Sequence, residues 1–328
     1  MERDSVTPPS RAARKLLARL DLSRDEIDAR LALALDSGYW KSLYPAFSVN
    51  DESSALPRAD ALTASQYERL ADHLTRRGYF HADSVLESET IDAMRGCIEA
   101  VRSAGWPPVF AYVYDQFWTI WRVAPIKQMV QAGLGEGYRL ISHPWCHYVS
   151  PVAGASGWPP HVDGNLANRL SVWIPLTDAT LDNGCIYVVP GDQNFARIGE
   201  LRELKSATNL QLRELMQRGR ALPASAGAIM GWHFRILHWG SVASGGGHPR
   251  ISTVMEFIKA EEAGLPSEMP LFDLDRGLPP LLQRLFAIGR AINHYKRFEL
   301  RMRRYAGLGR ALMRVGDAAN RESAATAT

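Results

Sequence analysis

The pattern of apolar and polar positions in the middle third of the chain predicts a series of short antiparallel strands. Residues 170–176, Leu-Ser-Val-Trp-Ile-Pro-Leu, form a β-branched and aromatic run that is typical of a buried strand. The Asn-Gly pair at 183–184 tolerates positive φ and predicts a turn, after which residues 185–189 predict the returning strand of a hairpin. A second strand pair is predicted in residues 228–238 and 251–258. Because no βαβ rhythm runs through this region, the pattern favours a sandwich or jelly roll.

Helical patterns flank these strands on both sides. Residues 10–35 interleave charges with Leu and Ala and predict an N-terminal helix, and the aromatic run of residues 39–47 predicts an arm that packs on the outside of the barrel. The aromatic residues at 111–118 either line a substrate site or pack in the core. Apolar residues near the C-terminus recur at spacings of three, four or seven and predict an amphipathic helix. They are Leu281, Leu285, Ile288, Ile292, Tyr295, Met302 and Tyr305.

Positive charge is concentrated in this C-terminal segment. The whole chain carries a formal charge of +3, whereas residues 281–315 hold nine Lys or Arg and a single acid, Glu299. The favoured interpretation is a helix that packs on the barrel with a solvated basic face. The alternative is a weak contact with an anionic membrane surface or a phosphate-bearing carrier. Nucleic acid is disfavoured as a partner, because no stacking-aromatic or groove-reading motif accompanies the charge.

Composition indicates one large core and a reducing compartment. Apolar residues make up 46% of the 328 residues, which is ample for a single core. The start, Met-Glu-Arg-Asp, is followed by no apolar run that would predict a signal peptide, and no stretch approaches transmembrane length. The three cysteines, Cys97, Cys146 and Cys185, are widely spaced and odd in number, which argues against a disulfide framework. We expect a cytoplasmic protein.

Two histidines and one aspartate form the candidate metal site. His161 and Asp163 are two residues apart, so on a strand their side chains point the same way and can bind one ion together. On a helix they would lie about 200° apart around the axis, which is poor for chelation. His238 completes a set of two imidazoles and one carboxylate, which suits a divalent first-row metal such as iron. The alternative is a satisfied polar pair and an unrelated histidine.

Other histidines near these residues are weaker candidates for the metal. His233 lies five residues before His238, an odd offset that places it on the opposite side of a regular strand. His143 and His147 lie on the preceding apolar segment, where a structural or substrate-facing role is favoured over metal ligation.

A family resemblance comes from the run WIPLTDATLDNGCIYVVPG at residues 173–191. This run resembles the phytanoyl-CoA dioxygenase-like family of Fe(II)/2-oxoglutarate-dependent oxygenases. In that family the hairpin follows an H-x-D pair, and a distal histidine and a 2-oxoglutarate-binding arginine come later. In this chain they would be His238 and Arg250, in the same order. The resemblance covers roughly residues 62–260 and implies Fe(II) and 2-oxoglutarate as cofactors.

The resemblance also implies a fold and a division of the chain. We expect a mainly β protein with flanking helices, whose core is a double-stranded β-helix of the jelly-roll, cupin-like kind. The N-terminal helical arm would span residues 1–60, the dioxygenase domain residues 61–262, and the basic helical C-terminal extension residues 263–328.

Four residues are candidates for binding 2-oxoglutarate. Arg250 offers two parallel donors that match a carboxylate, and it begins an apolar strand, where an unpaired inward cation would be costly. The alternative is that Arg250 points to solvent. Ser252 shares its strand face and could add a hydrogen bond, and Ser241 could do likewise by resemblance only. Trp173 would lie near the cofactor in the family pattern, or it packs in the core.

The chain departs from the family pattern at the rim of the site. Relatives commonly read Pro-Gly-Ser-His after the hairpin, whereas this chain reads Pro-Gly-Asp-Gln at residues 190–193. Trp239 also intervenes between the distal histidine and the Gly-Ser pair that usually follows it. These changes leave the metal assignment intact but obscure the substrate. Related halogenases carry a small residue in place of the carboxylate, so Asp163 disfavours halogenation.

The resulting prediction is a non-haem Fe(II)/2-oxoglutarate-dependent dioxygenase that hydroxylates an unactivated C–H bond of a small-molecule, lipid or carrier-linked substrate. One alternative is a non-catalytic jelly-roll protein that binds metal. Another is a cupin-type metal dioxygenase without 2-oxoglutarate, which would not need Arg250. The sequence does not choose among substrates, because one fold serves many.

Overall fold

The computed structural model describes residues 21–51, 53–83, 85–164, 168–191, 214, 217–259 and 271–326. Its α-helices are α1 (Arg24–Leu35), α2 (Ser37–Leu43), α3 (Ala64–Arg77), α4 (Ser88–Ser103), α5 (Gln116–Thr119), α6 (Ala124–Leu134), α7 (Leu281–Tyr295) and α8 (Ala306–Thr326). Short 3-10 helices span Pro108–Val113, Ile120–Arg122 and Leu300–Tyr305. The strands are β1 (Tyr79–Ala82), β2 (Tyr138–Ile141), β3 (Trp145–Val149), β4 (Arg169–Pro175), β5 (Ile186–Val188), β6 (Arg220–Leu222), β7 (Ile229–His233), β8 (His238–Gly240), β9 (Arg250–Lys259) and β10 (Leu271–Phe272).

The strands form two antiparallel sheets, as the predicted jelly roll requires. The larger sheet has the order β1-β7-β4-β9-β2-β10, and β3 also pairs with β9. The smaller sheet has the order β6-β5-β8. Buried side chains from both sheets pack in one cluster, among them Trp173 of β4, Ile186 of β5 and Met230 of β7. The apolar layer between the sheets therefore holds β4 and β5 against each other face to face.

Capping residues set the two ends of α3, the helix that leads into the first strand. The Thr63 side chain accepts a hydrogen bond from the backbone N–H of Gln66, and the Gln66 side chain accepts one from Thr63, so α3 begins with a capping box. Gly78 ends α3 in the left-handed region at φ 79°, which favours glycine. The chain then enters β1 directly.

The predicted hairpin at residues 170–189 is wrong in its pairing, although its strands and its turn are present. β4 pairs with β7 and β9, whereas β5 pairs with β6 and β8. Gly184 has φ 84°, and the Asn183 side chain accepts a hydrogen bond from the Thr180 N–H at 2.8 Å. The turn therefore carries the chain from one sheet to the other. The sequence pattern of two apolar strands around a turn is the same for a hairpin and for a crossing between sheets, because both arrangements bury the same residues.

The N-terminal arm packs on the barrel domain through Trp40, as its aromatic pattern predicted. The Trp40 side chain is fully buried, and its ring lies 5.1 Å from the Trp106 ring and 5.9 Å from the Phe110 ring. The Tyr114 hydroxyl donates to the Trp40 carbonyl at 2.8 Å. Most side chains of residues 111–118 are buried in this same core, so the aromatic run at those positions is structural.

The C-terminal extension forms two helices instead of the one that the spacing predicted. The apolar residues predicted to share a face up to Tyr295 are all buried in α7. The helix ends there, and the chain continues through a 3-10 helix into α8, which packs along α7. The apolar face of α7 belongs to the main core, so it is not exposed. No helix in the described ranges is long and apolar enough to cross a membrane. All three cysteines are buried and free.

One buried ion pair joins α7 to the rest of the protein. Arg284 and Asp115 are 1% and 0% exposed, and Nη1 of the arginine lies 2.5 Å from Oδ1 of the aspartate. Arg284 also donates to the carbonyls of Val113 and Pro279. Asp115 accepts backbone N–H bonds from Asn50 and its neighbour, residue 51. Both charges are therefore satisfied inside the core, which is the condition for burying them without a large penalty.

We predict that Asp115→Ala lowers the free energy of unfolding by about 3–5 kcal/mol, because it leaves the Arg284 guanidinium buried without its counter-ion. Urea denaturation measures this change. Asp28→Ala is the control, since it breaks the exposed pair with Arg24 and should produce no measurable change. Equal effects of the two variants would contradict the structural role of the buried pair.

Candidate metal centre and cofactor cavity

The two candidate histidine ligands are direct partners across an antiparallel bridge. The His161 N–H donates to the His238 carbonyl at 3.0 Å, and the His238 N–H donates to the His161 carbonyl at 3.0 Å. Directly opposed residues on antiparallel strands project their side chains to the same face. The two imidazole centroids are accordingly 4.3 Å apart. Residues separated by 77 positions are thus brought together by the backbone alone.

Asp163 lies on the same side as the two imidazoles, as its two-residue offset from His161 predicted. Its Oδ1 atom is 3.5 Å from Nε2 of His161 and 3.5 Å from Nε2 of His238. Its other oxygen, Oδ2, accepts hydrogen bonds from the Ser171 hydroxyl at 2.7 Å and from the Trp232 indole N–H at 3.0 Å. One carboxylate oxygen is therefore fixed by the protein, and the other faces the histidines.

The hydrogen bonds of the imidazoles orient their Nε2 atoms toward Asp163. Nδ1 of His161 is 2.7 Å from the Pro159 carbonyl, and Nδ1 of His238 is 3.0 Å from the Ile236 carbonyl. Only a protonated Nδ1 can bond to a carbonyl, so in the neutral rings the Nε2 atoms carry lone pairs. Burial is the main reason that the pKa of His238 falls to about 4, so this ring is neutral near pH 7.

The residues present fit a bound metal ion. Nε2 of His161 is buried and has no hydrogen-bond partner, although buried polar atoms are normally satisfied. The three ligand atoms of His161, Asp163 and His238 lie within 4.8 Å of one another. Carbonyl bonds behind metal-binding imidazoles and a hydrogen-bonded carboxylate are the usual outer shell of such sites.

The other histidines considered from sequence lie elsewhere, in agreement with their placement by strand alternation. His233 is not part of the metal-ligand cluster, and its ring approaches Gly133 on α6. His147 lines the cavity beside the cluster, where burial lowers its pKa to about 3. Nε2 of His143 contacts the Glu256 carboxylate at 2.9 Å.

Arg250 lies in the same cavity and has no anionic partner among the residues that the structure describes. It is 1% exposed, and its Nε atom has no hydrogen-bond partner. Burial lowers the pKa of its guanidinium to about 10, so the group remains charged at pH 7. The prediction that it faces inward is confirmed by its burial and by its place in the cavity wall. A buried cation without a counter-ion is costly, which points to an anionic ligand.

Two glycines hold the guanidinium of Arg250 in place. A Cβ atom added to Gly157 would lie 2.6 Å from Nη2 of Arg250, and one added to Gly240 would lie 2.7 Å from it. The two glycines also approach each other, because either added Cβ would lie 2.8 Å from the Cα atom of the other glycine. A side chain at either position would require both the Arg250 guanidinium and the backbone of the facing glycine to move.

The remaining predicted cofactor residues divide into two groups. Ser252 and Trp173 are buried, and the Ser252 hydroxyl and the Trp173 indole nitrogen have no hydrogen-bond partner. Trp173 lines the cavity, and Ser252 follows Arg250 on the same face of β9. Ser241 is not among the residues that line the cavity. It follows Gly240 in the chain, so alternation turns its side chain away from the cavity.

Several residues of this cavity were missed in the sequence. Ser171 and Trp232 hold the Asp163 carboxylate, and Trp158, Glu256 and Tyr295 line the wall. Alternation along β4 from Trp173 and along β9 from Arg250 could have found Ser171 and Glu256. No comparable signal existed for Tyr295, because the docking position of α7 is a tertiary property.

We predict that Trp232→Phe weakens divalent metal binding by about 10- to 100-fold, because it removes a hydrogen bond that orients the Asp163 carboxylate. The affinity for Mn(II) is measured by calorimetric titration of the metal-free protein. Trp106→Phe removes an indole hydrogen bond to Tyr39 in the N-terminal core and should leave the affinity unchanged. The account of Asp163 fails if both variants bind Mn(II) like the wild type.

Comparison with known proteins agrees with this geometry. A family model described as phytanoyl-CoA dioxygenase (PhyH) matches residues 123–251, a range that contains His161, Asp163, His238 and Arg250. A search of the curated proteins finds no match.

Solved structures of similar fold come from several enzymes. The epimerase SnoN in complex with Fe3+, alpha ketoglutarate and nogalamycin RO has a TM-score of 0.50 and 18% identity, over 66% of this chain and 98% of that chain. HygX from Streptomyces hygroscopicus with nickel and 2-oxoglutarate bound has a TM-score of 0.48 and 14% identity, over 61% of this chain and 88% of that one. EctD from S. alaskensis has a TM-score of 0.44 and 16% identity, over 65% and 86%.

At 18% identity the similarity to SnoN establishes a shared fold, which confirms the predicted jelly-roll core. The family match covers the segment that carries the clustered side chains. The resemblance found in the sequence is therefore confirmed, because residues 123–251 match the model of the phytanoyl-CoA dioxygenase (PhyH) family.

Proposed function

We propose that the protein is a hydroxylase in which His161, Asp163 and His238 bind Fe(II) and Arg250 binds 2-oxoglutarate. The observation that carries the proposal is a set of buried polar atoms that lack hydrogen-bond partners among the described residues. Nε2 of His161, Nε of Arg250 and the Trp173 indole nitrogen belong to residues that line one cavity, and the Ser252 hydroxyl follows Arg250 on the same face of β9. Buried groups of this kind are normally hydrogen-bonded, so the cavity is built for polar ligands.

Each of these side chains has a distinct part in holding the cofactors. A ferrous ion with 2-oxoglutarate supplies the oxidation, in which O2 and 2-oxoglutarate yield succinate, CO2 and the oxygen atom inserted into the C–H bond. Ser171 and Trp232 hold one Asp163 oxygen so that the other stays directed at the metal position. Arg250 neutralises the distal carboxylate of 2-oxoglutarate, and Ser252 and Trp173 add donors beside it. The apolar walls limit access of water.

Two other functions use the same scaffold. A non-catalytic jelly-roll protein would bind metal without consuming 2-oxoglutarate. A cupin-type dioxygenase would consume O2 without 2-oxoglutarate, and it would have no use for Arg250. The buried and uncompensated Arg250 supports the 2-oxoglutarate-dependent function over both.

The first test is succinate release, which should depend on both Fe(II) and 2-oxoglutarate and continue slowly without a second substrate. We predict that Asp163→Ala abolishes it, because two imidazoles alone hold Fe(II) weakly. Asp273→Ala, which removes a carboxylate from a partly exposed ion pair with Arg139 outside the cavity lining, is the control and should keep full activity. Metal binding without succinate would favour the non-catalytic alternative, and O2 uptake without 2-oxoglutarate would favour the cupin type.

The second test concerns Arg250 and its neighbouring glycine. We predict that Arg250→Gln and Gly240→Ala each raise the KM for 2-oxoglutarate by about 10- to 100-fold, the first by deleting and the second by displacing a charged hydrogen-bond donor. Iron affinity should be unchanged in Arg250→Gln. Arg139→Gln, on the surface of the large sheet, should leave this KM unaltered. A normal KM in Arg250→Gln would exclude Arg250 from the cofactor site.

We also propose that the protein is cytoplasmic and that its basic C-terminal segment makes a weak contact with anionic membranes. A reducing cytoplasm fits three free cysteines and a ferrous cofactor. Of the nine basic residues in the C-terminal segment, Arg284 is buried with Asp115, so it contributes no surface charge. The apolar face of α7 is buried as well, so a membrane contact made by α7 would be electrostatic.

We predict weak binding to vesicles that contain phosphatidylserine, with no binding to pure phosphatidylcholine, because Arg297, Arg301, Arg304 and Arg310 are exposed. Co-sedimentation with vesicles at low salt measures this binding, and added salt should abolish the binding. Arg301→Glu with Arg304→Glu should remove the binding. Equal sedimentation with both vesicle types would rule out an electrostatic membrane contact.

A further inference from the structure

Part of the cavity wall comes from outside the matched family segment. Residues 123–251 carry the three candidate metal ligands and Arg250, whereas Tyr295, at the end of α7, also lines the cavity. Its ring lies 4.8 Å from the Trp158 ring, and the Trp158 ring lies 5.6 Å from the ring of the metal-site residue His161. The C-terminal extension therefore completes the site beside the metal position.

A buried carboxylate faces the same space. Glu256 lines the cavity and is the cross-strand partner of Ser171, which holds the Asp163 carboxylate. The Tyr295 hydroxyl donates to Oε1 of Glu256 at 3.0 Å, and Nε2 of His143 contacts Oε2 at 2.9 Å. The Glu256 side chain is only 12% exposed. Neither metal binding nor 2-oxoglutarate binding has a use for this group.

The existing hydrogen bonds of Glu256 and Tyr295 determine whether the pair can donate to a ligand or accept from it. The Tyr295 proton is committed to Glu256, so the hydroxyl has only lone pairs left. A carboxylate accepts and does not donate, and each oxygen has a lone pair beyond its present bond. Burial raises the pKa of Tyr295 well above its usual value, so the hydroxyl keeps this proton at neutral pH. The pair therefore presents acceptors alone.

An aromatic surface adjoins the pair and leads outward. The Phe298 ring stacks on Trp158 at 5.3 Å with an interplanar angle of 28°, and it lies 6.4 Å from the His161 ring. Phe298 is 43% exposed, so this aromatic surface is partly open to solvent. Stacked aromatic rings of this kind favour contact with flat apolar groups.

We infer that Glu256 and Tyr295 select the substrate of this enzyme, by binding a hydroxyl or amino group attached to an apolar ring system that stacks on Trp158 and Phe298. The inference rests on the proposed function only in taking this cavity as the site of oxidation. A site that bonds a donor group discriminates strongly against analogues that lack it, because its own buried acceptors are then left unpaired. The substrate is thus an alcohol or amine, and a carboxylate in the same place is repelled by Glu256.

Three probes with one ring system test this selection: 2-naphthylmethanol, 2-naphthylmethylamine and 2-naphthoate. Each is titrated by anaerobic calorimetry into the full-length protein loaded with Fe(II) and 2-oxoglutarate. We expect the alcohol or the amine to bind at least about tenfold more tightly than the carboxylate. Comparison of the first two probes shows whether the neutral or the cationic donor is preferred. The carboxylate binding equally well, or no probe binding at all, would overturn the inference.

Variants identify the residues responsible. Glu256→Gln introduces an N–H donor in place of an acceptor, so the preference for donors should fall by about tenfold. Tyr295→Phe, which removes only a hydroxyl and keeps the ring, should weaken donor binding by about fivefold and provides the test if the first variant does not fold. Tyr148→Phe, on the opposite face of β3 from His147, is the control. An unchanged preference in Tyr295→Phe, or in folded Glu256→Gln, would overturn the role of the pair.

Succinate release without a second substrate separates this inference from the proposed function. The control variant Tyr148→Phe should retain it, because Tyr148 lies on the opposite face of β3 from the cavity residue His147. If the wild type releases no succinate, the proposed function fails whatever the probes do. If succinate release is normal while the three probes bind alike, only the substrate assignment fails.

Discussion

The site depends on the backbone pairing of His161 with His238. Two hydrogen bonds of 3.0 Å fix these residues opposite each other, and their imidazoles must then project to one face. Asp163 follows two residues later, and its Oδ1 atom lies 3.5 Å from Nε2 of each histidine. The ligand set is therefore arranged by the fold itself. Preorganisation of this kind lowers the entropic cost of metal binding.

The contrast between two buried arginines separates structure from function. Arg284 is paired with Asp115 and bonded to two carbonyls, so its burial is compensated within the fold. Arg250 is equally buried but has no such partner in the part of the chain that the structure describes, and two glycines leave space for its guanidinium. A fold that buries a cation without compensation loses stability, and an anionic ligand would restore it. Arg284 thus forms a complete ion pair within the fold, whereas Arg250 is a buried cation that needs an anionic ligand.

The metal site could be predicted from the alternation of side chains along a strand. The strand pairing and the cavity wall formed by α7 could not, because they depend on tertiary packing. The two-residue offset of His161 and Asp163 and the inward position of Arg250 both follow from the period of a strand. The pairing of β4 and β5 with different partners could not be read from the pattern, because a hairpin and a sheet crossing bury the same side chains. Tyr295 was predicted only as an apolar helix position. Its place beside Glu256 depends on how α7 packs, which no local periodicity encodes.

The most direct measurement of the central claim is the visible absorption of the protein during anaerobic addition of Fe(II) and then 2-oxoglutarate. If His161, Asp163 and His238 hold one ferrous ion and leave adjacent positions open, 2-oxoglutarate will chelate it and produce a charge-transfer band. This band should appear only when both components are present and saturate at one equivalent of iron. A protein that binds iron but develops no band with 2-oxoglutarate, or develops it equally in Asp163→Ala, would contradict the account.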